Sequence, residues 1–428
     1  MENVIIRVLT CLLTLLLTSC TLPGVRSQAV SKVSPPLRPV GTYSLKGDPN
    51  FSPSQLPGEM RLWHTRFWDG VRYINDSKGD FNPEVLASSG DLNAIGRKLN
   101  NYITTLLTTL RVTKDLAILD EVDRLMELAR AQLKDYNGDG FRNWRYLAED
   151  GDDSYYGDDE FTMEEILTHS VVAAAAAALH ENAAFSPRYR EHAIFWEDYL
   201  KNDFEAKWRE RNEVPFGFPF LTRNLMHPYV QFIRYHLYMY ELTGEAAYYS
   251  EAERMAREVP QQVRRVYTSG GPAYVWDQRF LPEAERDQAL GCQPFVYLRL
   301  TLQGFQDLAL EGFSIFDSTF MQDVATAMTS LVMKDGYRSF ASDICGGVYQ
   351  AGLKPSSFDD GITFHFVNYP YAMIGKWDAT GKLERAVRRA YNEVDLDDDY
   401  YTLGRANLSA IMLFLLANNP DGQRTADR

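Results

Sequence analysis

Apolar and aromatic positions along residues 223–259 predict two helices joined by a tight turn. Over residues 229–240 they cover nearly the whole circumference of a helix, which is typical of a helix buried on most sides. After the Thr-Gly pair at 243–244, charged residues alternate with small apolar ones, as in an outer, half-solvated helix. His227 precedes Pro228, which favours the first turn of a helix, so we expect this histidine at the helix mouth, facing a cavity.

The same pairing of an apolar helix with an amphipathic one recurs along the chain. Thr162 and Glu165 form a capping box that starts one helix, and the Ser-Pro pair at 186–187 opens its partner. The joints at 113–115, 243–245 and 380–382 resemble one another, which we interpret as an internal repeat of helical hairpins. The further predicted helices are 91–112, 115–134, 289–310, 320–333, 369–377, 383–394 and 403–417.

Strand signals are few and short, so the fold class is predicted to be all-α. A repeat of helical hairpins fits either an open solenoid or a closed α/α toroid. The predicted inner helices carry His, Tyr, Asn and Arg as well as aliphatic residues. This polar content favours the toroid, with a polar central cleft.

The N-terminus has the features of a lipoprotein signal peptide, residues 1–19. An apolar run ends in Leu-Thr-Ser-Cys, which resembles a lipobox and makes Cys20 the predicted lipidation site; the alternative is a plain signal peptide with an incidental cysteine. Residues 20–58 are rich in Pro, Ser and Gly and predict a flexible tether, followed by a helical domain over residues 59–422. We therefore expect a bacterial outer-membrane or periplasmic protein, held at the membrane only through its lipid anchor. Cys292 and Cys345 would then be either a disulfide or two free thiols.

A net charge of -14 argues against nucleic acid or an anionic membrane surface as a partner. It leaves room for an anionic substrate bound by a local cluster of Arg, His and Asn. We expect a monomer.

Metal sites have one candidate. Asp135, Asn137 and Asp139 match the first half of a calcium loop, with glycine at its sixth position. The twelfth position is Tyr146 instead of the bidentate Glu, so a polar turn that ends a helix is the alternative. A structural calcium ion is possible on this pattern, and no cofactor is required; zinc-binding spacings are absent from the sequence.

His, Tyr, Arg and Asn residues cluster in four patches: residues 168–170, Asn224 with His227, residues 274–279 and residues 364–371. The G-x-S-x-G motif of nucleophilic hydrolases is absent. Beta-elimination from a polyuronate requires groups that neutralise the substrate carboxylate, a base that removes the C5 proton and an acid that protonates O4. Arg, Asn or neutral His suit the first task, and Tyr or His suit the other two. For a lone His on an apolar helix, such as His169 or His236, the alternative to a catalytic role is that of a hydrogen-bonded core residue.

Several segments resemble bacterial polysaccharide lyases with an α/α toroid, of the alginate and glucuronan lyase kind. They are LTHSVVAAAAAALHEN, RNLMHPYVQFIRYH, YVWDQRF and NYPYAMIGKWDATGK, together with the lipobox and the hairpin repeat. The resemblance implies metal-independent beta-elimination on a uronic-acid polymer. It implies His227 and Tyr274 as proton-transfer groups, with Tyr297 and Tyr369 as competitors of Tyr274. The residues implied around the substrate carboxylate are Arg279, His169 and Asn224.

The remaining predicted substrate contacts are aromatic or amide side chains. Trp63, Trp144 and Trp276 are either sugar-stacking platforms or core residues, and Asn368 lies beside Tyr369. Two other functions stay open: a glycan-binding surface lipoprotein without catalysis, and a toroidal glycoside hydrolase acting on uronides. The hydrolase would place two carboxylates in the cleft, with Asp277 and Asp343 as candidates.

Overall fold

A computed structural model describes residues 44–77, 81–147, 162–212, 225–280, 291–346, 362–398 and 401–419. The chain divides into two units, Met1–Leu37 and Arg38–Arg428. The first unit, the predicted lipidation site Cys20 and the predicted site residue Asn224 lie outside the described residues.

The described residues are mostly helical, which confirms the coarse prediction of a helical fold. Among them, none of the helices has the length and apolar content that crossing a bilayer requires. In chain order the helices are α1 (Gly58–Asp76), α2 (Pro83–Ala87), α3 (Asn100–Thr113), α4 (Leu116–Arg130), α5 (Thr162–Glu181), α6 (Pro187–Tyr199), α7 (Ala206–Asn212), α8 (Met226–Thr243), α9 (Ala246–Ala256), α10 (Phe295–Leu310), α11 (Ser318–Ala327), α12 (Ile362–Asn368), α13 (Lys382–Glu393) and α14 (Gly404–Ala417).

Wider or tighter helical turns extend several of these helices. A π-helical turn, Ala94–Leu99, leads directly into α3, and two more follow α6 (Leu200–Glu205) and α11 (Met328–Val332). A 3₁₀ segment, Pro370–Trp377, follows α12.

The hairpin predicted over residues 223–259 is present as α8 and α9. Helix α8 buries nearly every residue, whereas α9 buries only one face. Gly244 lies between them with φ 71°, and its N–H donates to the carbonyl of Tyr240, which closes the end of α8. Lys114 and Gly381 also have left-handed backbone, at φ 67° and φ 64°. All three predicted joints of the repeat therefore share one conformation.

Apolar helices contact one another in a definite order. Helix α5 packs on α8, α8 on α10, α10 on the 3₁₀ segment, that segment on α14, α14 on α3, and α3 on α5. The amphipathic helices lie outside this set: α4 on α3, α6 on α5, α9 on α8 and α13 on α14. The apolar helices of the sequence thus pack on one another, and each of these amphipathic helices packs on one apolar helix.

Two small antiparallel hairpins interrupt the helices. They are β1 (Val263–Thr268) with β2 (Gly271–Trp276), and β3 (Met333–Asp335) with β4 (Ser339–Phe340). No strand was predicted over residues 274–279, but Tyr274 and Trp276 lie on β2. Ala273 and Val275 are buried and Tyr274 between them is half-buried, as the period of two in a strand predicts, while Trp276 at the end of the strand is also buried.

The end of the predicted tether packs against the helices. From Ser44 onward the chain is described, and Leu45 is fully buried. The N–H of Gly47 donates to Oδ1 of Asn182 at 2.8 Å, and Nζ of Lys114 donates to the carbonyl of Ser44 at 2.6 Å. Composition did not reveal this anchoring because one leucine in a Pro- and Ser-rich stretch carries little signal.

Cys292 and Cys345 form a disulfide across 53 residues, which decides the alternative that the sequence left open. Beside it, the N–H of Phe295 donates to the carbonyl of Ser342 at 2.8 Å. The disulfide and this hydrogen bond therefore hold the start of α10 against the segment that follows β4.

Candidate active site

A cavity of about 290 Å³ lies near the N-terminal ends of α5, α8 and α10. Unpaired backbone N–H groups give this end of a helix a partial positive charge, which favours anions. The residues that line it are Asn93, Arg97, Lys98, Leu167, His227, Val296, Tyr297, Arg299, Leu300, His365 and Tyr369. Among these described lining residues there are three cations and no carboxylate, although the whole chain is acidic.

Arg299 is the most unusual of these residues because it is a buried charge with no acidic partner in the part of the chain that the structure describes. It is 6 % exposed, and its Nη1 donates to Oδ1 of Asn101 at 2.6 Å and to the carbonyl of Arg97 at 3.4 Å. The guanidinium lies 4.3 Å from the ring centroid of Tyr369. Its Nε has no hydrogen-bond partner among the described residues. Burying an uncompensated charge costs several kcal/mol, so folding alone does not account for this arrangement.

Arg97 reaches the cavity from the π-helical turn before α3. Its Nε donates to Oε1 of Glu164 at 2.8 Å, and its Nη2 donates to the same oxygen. Glu164 is fully buried on α5, so this pair is held between two helices. Lys98 follows directly in the chain and also lines the cavity.

His227 lies in the first turn of α8, which begins at Met226, so the predicted place at the helix mouth is confirmed. It is 1 % exposed and stacks on the ring of Tyr297 at 4.6 Å. Neither ring nitrogen has a hydrogen-bond partner among the described residues. Burial, assisted by the charges of Arg97 and Arg299, lowers the pKa of His227 to about 3. The imidazole is therefore neutral at neutral pH, and one nitrogen can accept a proton.

A second histidine lines the same cavity. His365 stacks on Tyr369 with ring centroids 5.1 Å apart. Burial, with a smaller contribution from Arg299, lowers the pKa of His365 to about 4. The cavity thus combines permanent cations with two neutral imidazoles and two tyrosines.

Three predicted site residues meet in this cavity: His227, Tyr297 and Tyr369. His169 does not. Its Nδ1 lies 2.7 Å from the carbonyl of Glu165, its Nε2 lies 2.9 Å from the hydroxyl of Tyr199, and its ring stacks on Phe204 at 3.9 Å. Burial lowers the pKa of His169 to about 3. Both nitrogens are occupied, so His169 is a hydrogen-bonded core residue, the alternative weighed for it.

Tyr274 and Arg279 also lie outside the described lining of the cavity. Tyr274 extends from β2 towards Phe320, with ring centroids 5.0 Å apart. Arg279 pairs through its backbone with Leu225. Strand β2 packs on α11, which holds Tyr274 away from the cavity. The backbone of Arg279 lies beside Leu225, two residues before His227, but its side chain is not among the lining residues.

The predicted sugar-stacking tryptophans are core residues. Trp144 and Trp276 are fully buried, and Trp63 is 2 % exposed. The indole N–H of Trp144 donates to the carbonyl of Ala129 at 2.8 Å, and that of Trp276 to Oε1 of Gln293 at 2.6 Å. Buried rings present no face to a sugar. Asn368 is also fully buried and is not among the lining residues.

The calcium-like loop uses its carboxylates internally. Asp135 accepts from the backbone N–H groups of Gly138 at 2.7 Å and Gly140 at 3.0 Å. Asp139 pairs with Arg211 at 2.6 Å. Turn closure and this ion pair account for the acidic spacing, as in the alternative of a polar turn. Asn137 lies between the two acids.

Sequence reasoning missed Asn93, Arg97, Lys98 and Arg299 and singled out His365 only as part of a patch. Arg299 did carry a signal, since it is the only charge in the apolar run FVYLRLTL. A charge embedded in a buried helix must be paired or functional. Arg97 and Lys98 stand in an ordinary polar stretch, and only the fold brings them to the site.

The chain matches no known family model, no curated protein and no solved structure. Inferences about function therefore depend on the geometry of this cavity.

Proposed function

We propose that this cavity is the active site of a polysaccharide lyase that cleaves a uronic-acid polymer of the alginate or glucuronan type by beta-elimination. The observation that carries the proposal is that Arg299 and His227 line the same cavity. Among the described residues, Arg299 is a buried cation without a carboxylate partner, and His227 is a neutral imidazole without a hydrogen-bond partner. A substrate carboxylate would compensate the first group, and a sugar C–H or hydroxyl would face the second.

The chemistry follows from these positions. Arg299, assisted by Arg97, neutralises the uronate carboxylate and makes the C5 proton more acidic. His227 removes that proton; the electrons form the C4–C5 double bond while the C4–O4 bond breaks. Tyr297 or Tyr369 supplies the proton that the departing O4 takes up. Burial is the main cause of the low pKa of His227, and the charges of Arg97 and Arg299 lower it further. A bound carboxylate would offset the contribution of the arginines, so the substrate itself makes the imidazole a stronger base.

We also propose the α/α toroid as the arrangement of the inner helices. Support comes from the order of contacts, which runs from α5 through α8, α10, the 3₁₀ segment, α14 and α3 back to α5. Such a ring would gather the N-terminal ends of the inner helices around one cleft. A periplasmic or outer-membrane location, with Cys20 lipidated and the protein monomeric, remains part of the proposal; the disulfide suits an oxidising compartment.

The glycoside hydrolase alternative has less support. Neither Asp277 nor Asp343 is among the described residues that line the cavity. Asp277 lies 3.5 Å from Arg264, and Asp343 accepts from the N–H of Cys345 at 2.9 Å. A pair of carboxylates facing one sugar, which hydrolysis requires, is not assembled from them there.

The test is a panel of polyuronates incubated with the protein. Elimination creates an unsaturated uronate, so we expect ultraviolet absorbance to rise with alginate or glucuronan. Replacing His227 by Gln should lower the rate by about 100-fold or more while the helical circular dichroism stays unchanged. The matched control is His180→Gln, because His180 is exposed at the end of α5.

The other outcomes are equally specific. Binding without absorbance would favour a glycan-binding protein. New reducing ends without absorbance would favour the hydrolase. Full activity in His227→Gln would remove His227 from the mechanism.

A further inference from the structure

The π-helical turn Ala94–Leu99 contacts both arginines of the cavity. Its i to i+5 hydrogen bonds make it wider than an α-helical turn, and such turns are rare and frequent at functional sites. Arg97 belongs to the turn itself. The carbonyl of Arg97 accepts from Nη1 of Arg299 at 3.4 Å and also from Nδ2 of Asn101. Oδ1 of Asn101, one turn further on, accepts from the same Nη1 at 2.6 Å.

The turn is seated on α5 by an unusually close approach. A Cβ on Gly96 would lie 2.5 Å from Oγ1 of Thr168, and 3.2 Å from both the carbonyl oxygen of Glu164 and the N–H nitrogen of Thr168. With the hydroxyl of Thr168 in place, only glycine fits at this separation. One residue further, Arg97 pairs with the buried side chain of Glu164 on the same helix. Steric fit and ion pair therefore act at the same place.

These contacts connect α3, α5 and α10, which are far apart in the sequence. Through the turn, α5 holds the side chain of Arg97, and the backbone of Arg97 in turn holds Arg299 of α10. His227 lies within the influence of both charges. A displacement of the turn from α5 would thus move both cations relative to the imidazole.

We propose that the π-helical turn sets the positions of the two arginines, and that Gly96 is a positioning residue of the site. The importance of this for catalysis rests on the proposed function. The effect on anion binding does not, because Arg97 and Arg299 both line the cavity and cationic side chains attract a small oxyanion.

Four chains test the proposal: the wild type, Gly96→Ala, Thr168→Ala and the double variant. Thr168→Ala removes the nearest obstructing atom at the cost of the bond from Oγ1 to the carbonyl of Leu92, 3.1 Å long. Titration calorimetry with sulfate and with glucuronate, at constant ionic strength, measures the affinity of each. Thermal melting and circular dichroism show whether each chain is folded.

We expect Gly96→Ala to weaken the binding of both anions about tenfold, and Thr168→Ala to stay within about twofold of the wild type. The double variant should recover most of the loss, because the clash with Oγ1 is gone. Affinities are compared only at temperatures at which melting shows every chain to be folded, so that a loss of stability is not counted as a loss of binding. Folded Gly96→Ala with wild-type affinity, or a double variant as weak as Gly96→Ala, would overturn the proposal.

The two probes keep this proposal separate from the proposed function. A wild type that binds sulfate but not glucuronate would contradict the lyase, and the sulfate affinities of the four chains would still decide the role of Gly96. A wild type that binds neither anion would overturn both.

Discussion

Helix α10 carries buried charges at both of its ends, and the two ends differ in how those charges are paired. Near its start, Arg299 has no carboxylate partner among the described residues. Eight residues on, about 12 Å along the helix, Asp307 accepts from Nε of Arg234 at 2.6 Å and from the hydroxyl of Tyr238 at 2.9 Å. Arg111 completes this second cluster with a 3.0 Å bond to Glu311.

The difference separates two uses of a buried arginine. In the second cluster two arginines face two carboxylates, so the group is neutral and joins α3, α8 and α10. At the start of α10 the charge of Arg299 is not balanced by a described carboxylate, and its side chain lines a cavity. A buried charge that is paired stabilises the fold, whereas a buried cation that is unpaired is costly, and binding an anionic ligand would lower that cost.

The largest effect should come from breaking the paired cluster. Asp307→Asn removes the carboxylate that Arg234 and Arg111 share and leaves their charges buried. We expect a loss of about 3–5 kcal/mol in the free energy of unfolding, measured by urea denaturation. A loss below about 1 kcal/mol would mean that the cluster tolerates an uncompensated charge, and the contrast with Arg299 would disappear.

The opposite result is expected at the unpaired end. Arg299→Met removes a buried charge that nothing described compensates, so the free energy of unfolding should stay the same or rise by about 1 kcal/mol. Lyase activity should fall about 100-fold, because the group that neutralises the developing negative charge is gone. Urea denaturation and the absorbance assay measure the two quantities on the same preparation. Strong destabilisation by Arg299→Met would instead make Arg299 a structural residue.

The buried and the half-buried helices were predictable because local patterns specify them. Full apolar coverage identified α8, one-sided coverage identified α9, and the Thr-Gly pair located the turn between them. The strands β1 and β2 were missed because two six-residue segments between long helices contain few alternations to recognise. Buried tryptophans also look the same as exposed ones in a sequence, so Trp144 and Trp276 were open to both interpretations.

The site was predictable only where a single segment carried the information. His227 was found because a proline follows it at the start of a helix, and Tyr369 because it lies in an aromatic, histidine-bearing patch. Arg97 and Arg299 approach each other across 202 residues, and no local pattern reports such a contact. His169 shows the converse: its surroundings in sequence suit a catalyst, but Tyr199 and Glu165 occupy both of its nitrogens.

The smallest of these effects concerns the dependence of stability on pH. It tests whether His227, which lines the cavity together with Arg299, is uncharged in the folded protein. Burial and the two arginines lower its pKa to about 3, whereas an unfolded chain would have an ordinary value near 6.5. Between these values the unfolded state binds the proton and the folded state does not, so stability is lost as the pH falls below about 6.5. Each such histidine contributes a slope of about 1.4 kcal/mol per pH unit.

Replacing His227 by Gln should therefore make unfolding less sensitive to acid by about 1.4 kcal/mol per pH unit between roughly pH 6 and pH 4. The difference between variant and wild type cancels the carboxylates, which titrate in both. His180→Gln, at an exposed position, should leave the wild-type slope unchanged. An unchanged slope in His227→Gln would mean that His227 takes up a proton in the folded protein. The imidazole would then be a further cation beside Arg97, Lys98 and Arg299, and the assignment of His227 as the base would fail with it.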